Sequence, residues 1–339
     1  MMELVQGNEA VVRAALKVGC RFFAGYPITP SSEIMHMMAR EMPKVGGVFI
    51  QMEDEIASLS AAIGASMAGK ISMTATSGPG FSLMQENIGY AAITETPVVI
   101  VNVMRAGPST GIPTAPSQGD VMQARFGSHG DYPIIVLALS DVLDSYLLTA
   151  RAFYLSEKFL TPVIVLSDEL VGHMRESVEL PELEEIKPKR KIIGGGEPVH
   201  FTGLAHKDGF AISDPEEYEA LIKRLHRKIE GSKEITSYKI INPDSDVLIV
   251  TYGSPFRSSL ALLKTCRNVG ILKLETLFPF PDKLIEKLTK NVEKVVVVEM
   301  NVGKIYREIR RVYNGDLTLV SKLAQPISPD YILKVIECQ

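Results

Sequence analysis

VGGVFIQMEDEIASLSAAIGASMAGKISMTATSGPG, residues 45–80, carries the reading of the whole chain. An apolar run at Val48, Phe49 and Ile50 predicts a buried strand near 45–51. The acidic knot Glu53-Asp54-Glu55 then opens a helix over 55–69, a second strand comes at 70–76, and Ser77-Gly78-Pro79-Gly80 makes a turn. Carboxylates in the first turn sit well on the positive end of the helix dipole, and that accounts for Glu53 and Asp54. Glu55 is set apart by the residues after it. Ile56, Ala57, Leu59, Ala61, Ala62, Ile63, Gly64, Ala65, Met67 and Ala68 are small or apolar nearly all round, so the helix is expected to be mostly buried. A carboxyl leading into it would be partly desolvated, which raises its pKa and favours a hydrogen-bonding role.

The same alternation extends outward through residues 1–175. Strands are predicted near 21–25, 97–104, 134–139 and 162–167, with helices at 80–94, 118–126 and 141–158. A helix through Val18 takes Asn8 as its cap, and Ser31 or Ser32 caps the helix after the proline-stiffened loop Tyr26–Ser32. Apolar strands separated by helices imply an α/β fold with a parallel sheet covered on both faces. Ligands of such sheets bind beyond the carboxyl ends of the strands. Tyr26–Ser32, Gln51–Glu55, Ser77–Gly80 and Met104–Asp120 all fall at such ends.

Residues 176–245 break this rhythm with mixed charge, proline and glycine, apart from an amphipathic helix near 215–230. The length of that stretch argues for an ordered connector. His200 and His206 lie in it without a second ligand pair at metal spacing and read as surface histidines. From Asp246 a second α/β unit begins, with strands at 247–252, 270–274, 294–299 and 317–321 and a rigid Phe278-Pro-Phe-Pro281 turn. No catalytic combination of titratable groups is visible in it, so its expected part is scaffold and interface.

At 339 residues the chain suits about two domains. A formal net charge of −4 argues against nucleic-acid binding driven by phosphate contacts. Its apolar runs are too short to span a bilayer. Cys20, Cys266 and Cys338 are far apart, which suits a reducing cytoplasm and excludes a zinc or iron–sulfur site built by this chain alone.

Two loops carry chemistry. Ser77-Gly78-Pro79-Gly80 resembles a phosphate-binding turn, yet it lacks the Lys-Ser/Thr of a P-loop and the dinucleotide fingerprint. Close backbone packing against a flat ligand or a neighbouring subunit reads it equally well. Arg105 closes a buried strand, where its guanidinium can fork onto a carboxylate or serve a structural salt bridge. Ser109, Thr110 and Thr114 add hydroxyls beside it, a combination that suits an acidic substrate.

The segments GNEAVVRAALKVGCRFFAGYPITPSSE, GGVFIQMEDEIASLSAAIGASMAGK, TATSGPGFSLMQENIGYA and RAGPSTGIPTAPSQGDVMQARFGSHGDYP resemble the alpha subunit of the 2-oxoglutarate:ferredoxin oxidoreductases. The resemblance continues to the late VVVVEMNVGKIYREIR. It implies a pyrimidine-binding thiamine diphosphate domain over 1–190, a connector over 191–245 and a transketolase C-terminal-like domain over 246–339. It also implies a separate beta subunit carrying Mg²⁺ and a [4Fe-4S] cluster, leaves room for further small subunits, and makes ferredoxin the electron acceptor. No metal is assigned to this chain. The implied reaction oxidatively decarboxylates 2-oxoglutarate, with coenzyme A taking the acyl group.

Glu55 matches the glutamate that hydrogen-bonds the thiamine aminopyrimidine, with Glu53 a nearby competitor. Tyr26, Pro27 and Ile28 of the YPITP loop, with Ser77 and Gly78, would line the cofactor. Thr29 and Arg105 would hold the substrate, and Thr110 and Thr114 would line the same pocket. The connector's TGLAHKDG stands where a more acidic run is usual, so His206 takes no role from the resemblance. Relatives acting on branched-chain 2-oxoacids look less hydroxyl-rich after the arginine, so PSTGIPTAPSQGD favours 2-oxoglutarate. A branched-chain enzyme, a transketolase-like or decarboxylase subunit without ferredoxin, and a non-catalytic scaffold are the rival readings.

Overall fold

A computed structural model describes residues 2–230 and 232–336; Cys338 lies outside the described residues. Two sheets carry the fold. The larger runs in the order Thr276–Phe278, Ile135–Ala138, Pro162–Asp168, Val98–Ala106, Ser72–Thr76, Phe22–Gly25, Val48–Gln51. All of these strands are parallel except Thr276–Phe278. An eighth strand, Ile112–Pro116, folds back antiparallel on the end of Val98–Ala106. The central strands are buried along their whole length, which is why they read as continuous apolar runs. Each Val, Ile or Leu buried there contributes roughly 1.5–3 kcal/mol.

The smaller sheet runs Tyr238–Ile241, Val269–Leu274, Val247–Thr251, Lys294–Glu299, Asp316–Ser321, parallel except for the first. The two sheets share a core in which Ile134 and Val136 pack in one cluster with Leu272, Leu274 and Leu277. A buried ion triad also ties them. The Lys273 ammonium reaches Asp144 at 2.6 Å and Glu275 at 2.8 Å.

Several expectations are corrected. Gln6, not Asn8, caps the helix Gly7–Lys17, through a reciprocal pairing with Glu9. Asn8 is buried one step inside, where its amide donates to the Pro30 carbonyl at 2.9 Å and to Glu33 at 3.1 Å. It braces the Tyr26–Ser32 loop rather than its own helix. Ser31 takes the cap position of Ser32–Glu41, but its hydroxyl donates to Ile28 instead of capping. The helix expected over 80–94 is two, Gly78–Leu83 and Gln85–Ile93, breaking at Met84.

The helix Glu55–Met67 is not buried all round. Ile56 is 47% exposed, and Ser60 and Gly64 continue that open stripe at fourfold spacing. Three short features had no periodic signature. Glu3–Gln6 pairs with Arg175–Val178, Tyr238–Ile241 edges the second sheet, and Thr276–Phe278 returns from the second half to the first sheet. Among the described residues no helix is long and apolar enough to cross a membrane.

Candidate active site

The larger sheet changes direction at Phe22–Gly25. From that strand the chain crosses to Val48–Gln51 on one side and then returns to Ser72–Thr76 on the other. Phe22–Gly25 pairs with Ser72–Thr76 only through Phe22–Ser72 and Phe23–Met73, so the two strands part toward their carboxyl ends. A switch point of this kind opens a crevice for a ligand. The loops at 26–32, 51–55, 77–80 and 105–120 all open at this edge.

Glu55 sits at the crevice as the first residue of its helix and is 4% exposed. Asp54 is the cap, its Oδ1 accepting from the Ala57 amide at 2.8 Å, and Glu53 is exposed to solvent. One carboxylate of the acidic knot therefore stabilises the helix end and another, Glu55, is delivered inward. Burial pushes the Glu55 carboxyl up and the Asp54 charge adds to this, while its own backbone amide and Arg105 pull it down. The net shift is upward, as the sequence predicts.

Gly80 faces Glu55 so closely that a Cβ there would stand 2.2 Å from Glu55 Oε1 and 2.3 Å from Thr76 Oγ1. Gly78 takes a left-handed φ of 39°, and its Cβ position lies 3.6 Å from Arg105 Nε. The glycines of the SGPG turn thus keep the backbone close to a carboxylate and a guanidinium. Around them the buried Thr76 hydroxyl, Ser77 hydroxyl and Arg105 Nε have no hydrogen-bond partner among the described residues. Buried polar atoms are rarely left so, and a cluster of them marks a place for a polar ligand.

Arg105 is 6% exposed and donates from Nη1 to the Thr29 carbonyl at 2.8 Å. Burial lowers its pKa, opposed by the charges of Asp120 and Glu55. The structure therefore brings Thr29, Arg105, Gly78 and Glu55 together from four separate segments, a loop, a strand end and two helix starts. Thr29 meets Arg105 through its backbone rather than its hydroxyl. Tyr26, Pro27, Thr29, Thr110 and Thr114 are exposed, and Ile28 is half-buried.

Asn102 and Lys304 took no role from the sequence, and Asp120 only marked the end of the Arg105 loop. Asn102 donates to Asp120 at 2.9 Å, and burial raises the Asp120 carboxyl against the pull of Asn102, Lys304 and Arg105. Asn102 sits three residues before Arg105 on an apolar strand, and that lone amide was the available signal.

His200 and His206 are not surface residues. Their rings stack at 4.3 Å, His200 is buried, and His206 Nε2 donates to the Ile93 carbonyl at 3.0 Å. Burial and the neighbouring His200 lower the pKa of His206. Among the described residues no three His, Cys, Asp or Glu side chains are grouped to hold a metal ion.

Residues 13–205 match the family described as pyruvate flavodoxin/ferredoxin oxidoreductase, thiamine diphosphate-binding, and residues 245–328 match the pyruvate:ferredoxin oxidoreductase core domain II. The 2-oxoglutarate synthase subunit KorA of Archaeoglobus fulgidus is 56% identical over 99% of both chains. The ketoisovalerate oxidoreductase subunit VorB of Methanothermobacter thermautotrophicus is 38% identical, covering 95% of this chain and 93% of its own. Among solved structures, 2-oxoglutarate:ferredoxin oxidoreductase from Magnetococcus marinus, with 2-oxoglutarate, coenzyme A and succinyl-CoA bound, superposes with a TM-score of 0.90 at 32% identity. That match covers 99% of this chain and 65% of the other, longer one. A split-gene transketolase at 15% identity and a TM-score of 0.56 shares the fold. The chain belongs to the pyruvate flavodoxin/ferredoxin oxidoreductase family, as a thiamine diphosphate-binding subunit.

Proposed function

We propose that this chain is the alpha subunit of a coenzyme A-acylating 2-oxoglutarate:ferredoxin oxidoreductase, converting 2-oxoglutarate to succinyl-CoA and CO₂ reversibly as ferredoxin is reduced. The observation that carries this is the Glu55–Gly80–Arg105 cluster at the switch point, with a buried carboxyl of raised pKa and orphaned hydroxyls on Thr76 and Ser77. These features fit thiamine diphosphate. An acid with a raised pKa suits a ring nitrogen, and the glycine cradle admits a flat heterocycle that a Cβ would exclude. When bound, the cofactor supplies the carbanion-stabilising group that decarboxylation of a 2-oxoacid needs.

This chain's own residues do the holding. Glu55 would hydrogen-bond the aminopyrimidine, with Tyr26, Pro27, Ile28, Ser77 and Gly78 walling the ring. Arg105, with its cation fixed by the Thr29 carbonyl and its buried Nε left without a partner beside Gly78, would turn its guanidinium toward a substrate carboxylate. Thr29, Thr110 and Thr114 would meet the substrate. The diphosphate and its Mg²⁺ would be held by a beta subunit that also brings the [4Fe-4S] cluster, and ferredoxin would dock on the assembled enzyme. The higher identity to KorA subunits than to VorB subunits supports 2-oxoglutarate over a branched-chain substrate. We further assign residues 1–190 to the pyrimidine-binding domain, 191–245 to the connector and 246–339 to the transketolase C-terminal-like domain.

The test is anaerobic viologen reduction by this chain co-produced with its beta subunit, given thiamine diphosphate, Mg²⁺ and coenzyme A. Separate additions of 2-oxoglutarate, pyruvate and 2-oxoisovalerate should show a strong preference for the first. Preference for 2-oxoisovalerate would overturn the substrate, and no reduction by a cluster-loaded complex would overturn the function.

A further inference from the structure

The second sheet has a switch point of its own. From Val247–Thr251 the chain crosses to Val269–Leu274 on one side and later reaches Lys294–Glu299 on the other. The carboxyl ends of Val247–Thr251 and Lys294–Glu299 should therefore frame a ligand crevice. Gln118 fills it. Its Nε2 donates to the Tyr252 carbonyl at 2.8 Å, and its Oε1 accepts from the Met300 amide at 2.7 Å. Its backbone amide donates to the Met300 carbonyl at 2.9 Å, and its carbonyl accepts from Asn301 Nδ2 at 3.0 Å. Both the side chain and the backbone of this one residue are spent on the second sheet, and Gln118 is 0% exposed.

The seat is shaped for it. Gly253 has a left-handed φ of 65°, and a Cβ there would stand 2.3 Å from Gln118 Nε2. Tyr252, Glu299 and Asn301 back the seat with a closed network, Tyr252 donating to Glu299 at 2.9 Å and Asn301 donating to both. Gln118 also lies near the end of the Arg105–Asp120 loop. Two residues further on, Asp120 returns to Asn102 on the Arg105 strand.

We propose that Gln118 is a positioning residue that keys the Arg105–Asp120 loop into the second sheet's crevice, and so sets the affinity of the enzyme for its 2-oxoacid. This rests on the reading of that loop as the substrate loop. The second unit then acts on substrate binding without placing a side chain against the substrate. Buried hydrogen bonds shared between two rigid sheets can hold such a loop to the tolerance a carboxylate clamp requires.

The test uses the assembled holoenzyme with Gln118→Met, which keeps length and removes the polar atoms, and independently Gly253→Ala, which crowds the seat. KM for 2-oxoglutarate should rise by about tenfold in both, with kcat changed by less than about threefold. Amide exchange over 107–116 should quicken while the Glu55–Met67 helix stays protected. A purely structural part for Gln118 would lower kcat and the yield of complex together and leave KM in place, and that result overturns the proposal. If the unaltered complex fails to oxidise 2-oxoglutarate, the functional reading falls. Exchange over 107–116 then decides the clip alone, unchanged protection in both variants sinking it and faster exchange sustaining it.

Discussion

The position of a Cβ on Gly80 lies 2.2 Å from the Glu55 carboxylate, closer than any carbon and oxygen approach without a bond. The glycine turn and the buried acid are thus one device, twenty-five residues apart in sequence. Gly80→Ala should force either the turn or Glu55 to move. We expect affinity for thiamine diphosphate, read by titration of the assembled complex, to fall by about 100-fold. Melting of the same samples separates this from misfolding, because the variant should keep a cooperative transition.

Glu55→Gln keeps the shape and removes the titrating group. Loss of a positioned acid–base partner costs about 100-fold or more in rate. Turnover of 2-oxoglutarate should fall by at least that much, while Tm moves by no more than about 3 °C, since burial already disfavours the charged form that the substitution removes. Retention of full turnover would support the scaffold reading. Glu53→Gln, at an exposed position, is the control and should be silent.

The strand–helix alternation was legible because burial on both faces of the central strands writes itself as apolar runs. The run expected to be a buried strand, Val48–Gln51, nevertheless lies at the sheet edge with Val48 and Ile50 exposed. Glu55 was legible because a carboxyl leading into a small-residue helix is desolvated. The rest was hidden by its own physics. Thr276–Phe278 is three residues long, too short for any period, and joins a sheet whose other strands lie more than a hundred residues earlier. Asn8, Gln118 and Asp120 matter through partners far along the chain, and a polar residue in a loop looks the same whether it meets water or a distant strand. The histidine pair misled for a related reason. An irregular stretch reads as exposed, yet His200 and His206 are stacked on each other, and His206 is hydrogen-bonded to the Ile93 carbonyl.

Arg105 is held by one nitrogen and keeps another unpartnered. Arg105→Lys preserves charge but cannot bind Thr29 and a carboxylate in one plane. A charged hydrogen bond contributes about 1.5–3 kcal/mol, so KM for 2-oxoglutarate should rise roughly 10- to 100-fold. Initial rates over a range of substrate concentration decide it, and an unchanged KM would return Arg105 to a purely structural part.

Thr114 stands exposed on the strand Ile112–Pro116 that folds back over the end of the Arg105 strand. If its hydroxyl meets the acidic end of the substrate, Thr114→Val should raise KM for 2-oxoglutarate more than for 2-oxoisovalerate, because only the former loses a polar contact. Competition between the two substrates in one anaerobic assay gives the ratio directly. Equal effects on both would remove Thr114 from substrate choice.

Glu95 shows how the helix Pro215–Glu230 is fastened. Its two oxygens receive Arg224 at 2.9 and 2.6 Å, and Lys228 donates to Oε1 at 2.7 Å, fixing that helix to the end of the helix Gln85–Ile93. Burial by itself would raise this carboxyl, but the two cations outweigh it and bring it down to about 2 from an ordinary 4.5. A pKa depressed in the folded state stabilises above the unfolded value and is lost as pH falls toward the folded one. The contribution is therefore complete above about pH 5 and drains away between roughly pH 4.5 and 2, amounting at neutral pH to at most about 3 kcal/mol. Glu95→Gln should lower stability at pH 7 by an amount of that order, with Arg224 and Lys228 left facing a neutral amide. Denaturant melts at pH 7, 5 and 4 should show the gap between the two proteins constant over the first step and narrowing over the second. A gap that stays the same down to pH 4 and below would mean that the ion cluster contributes packing rather than charge.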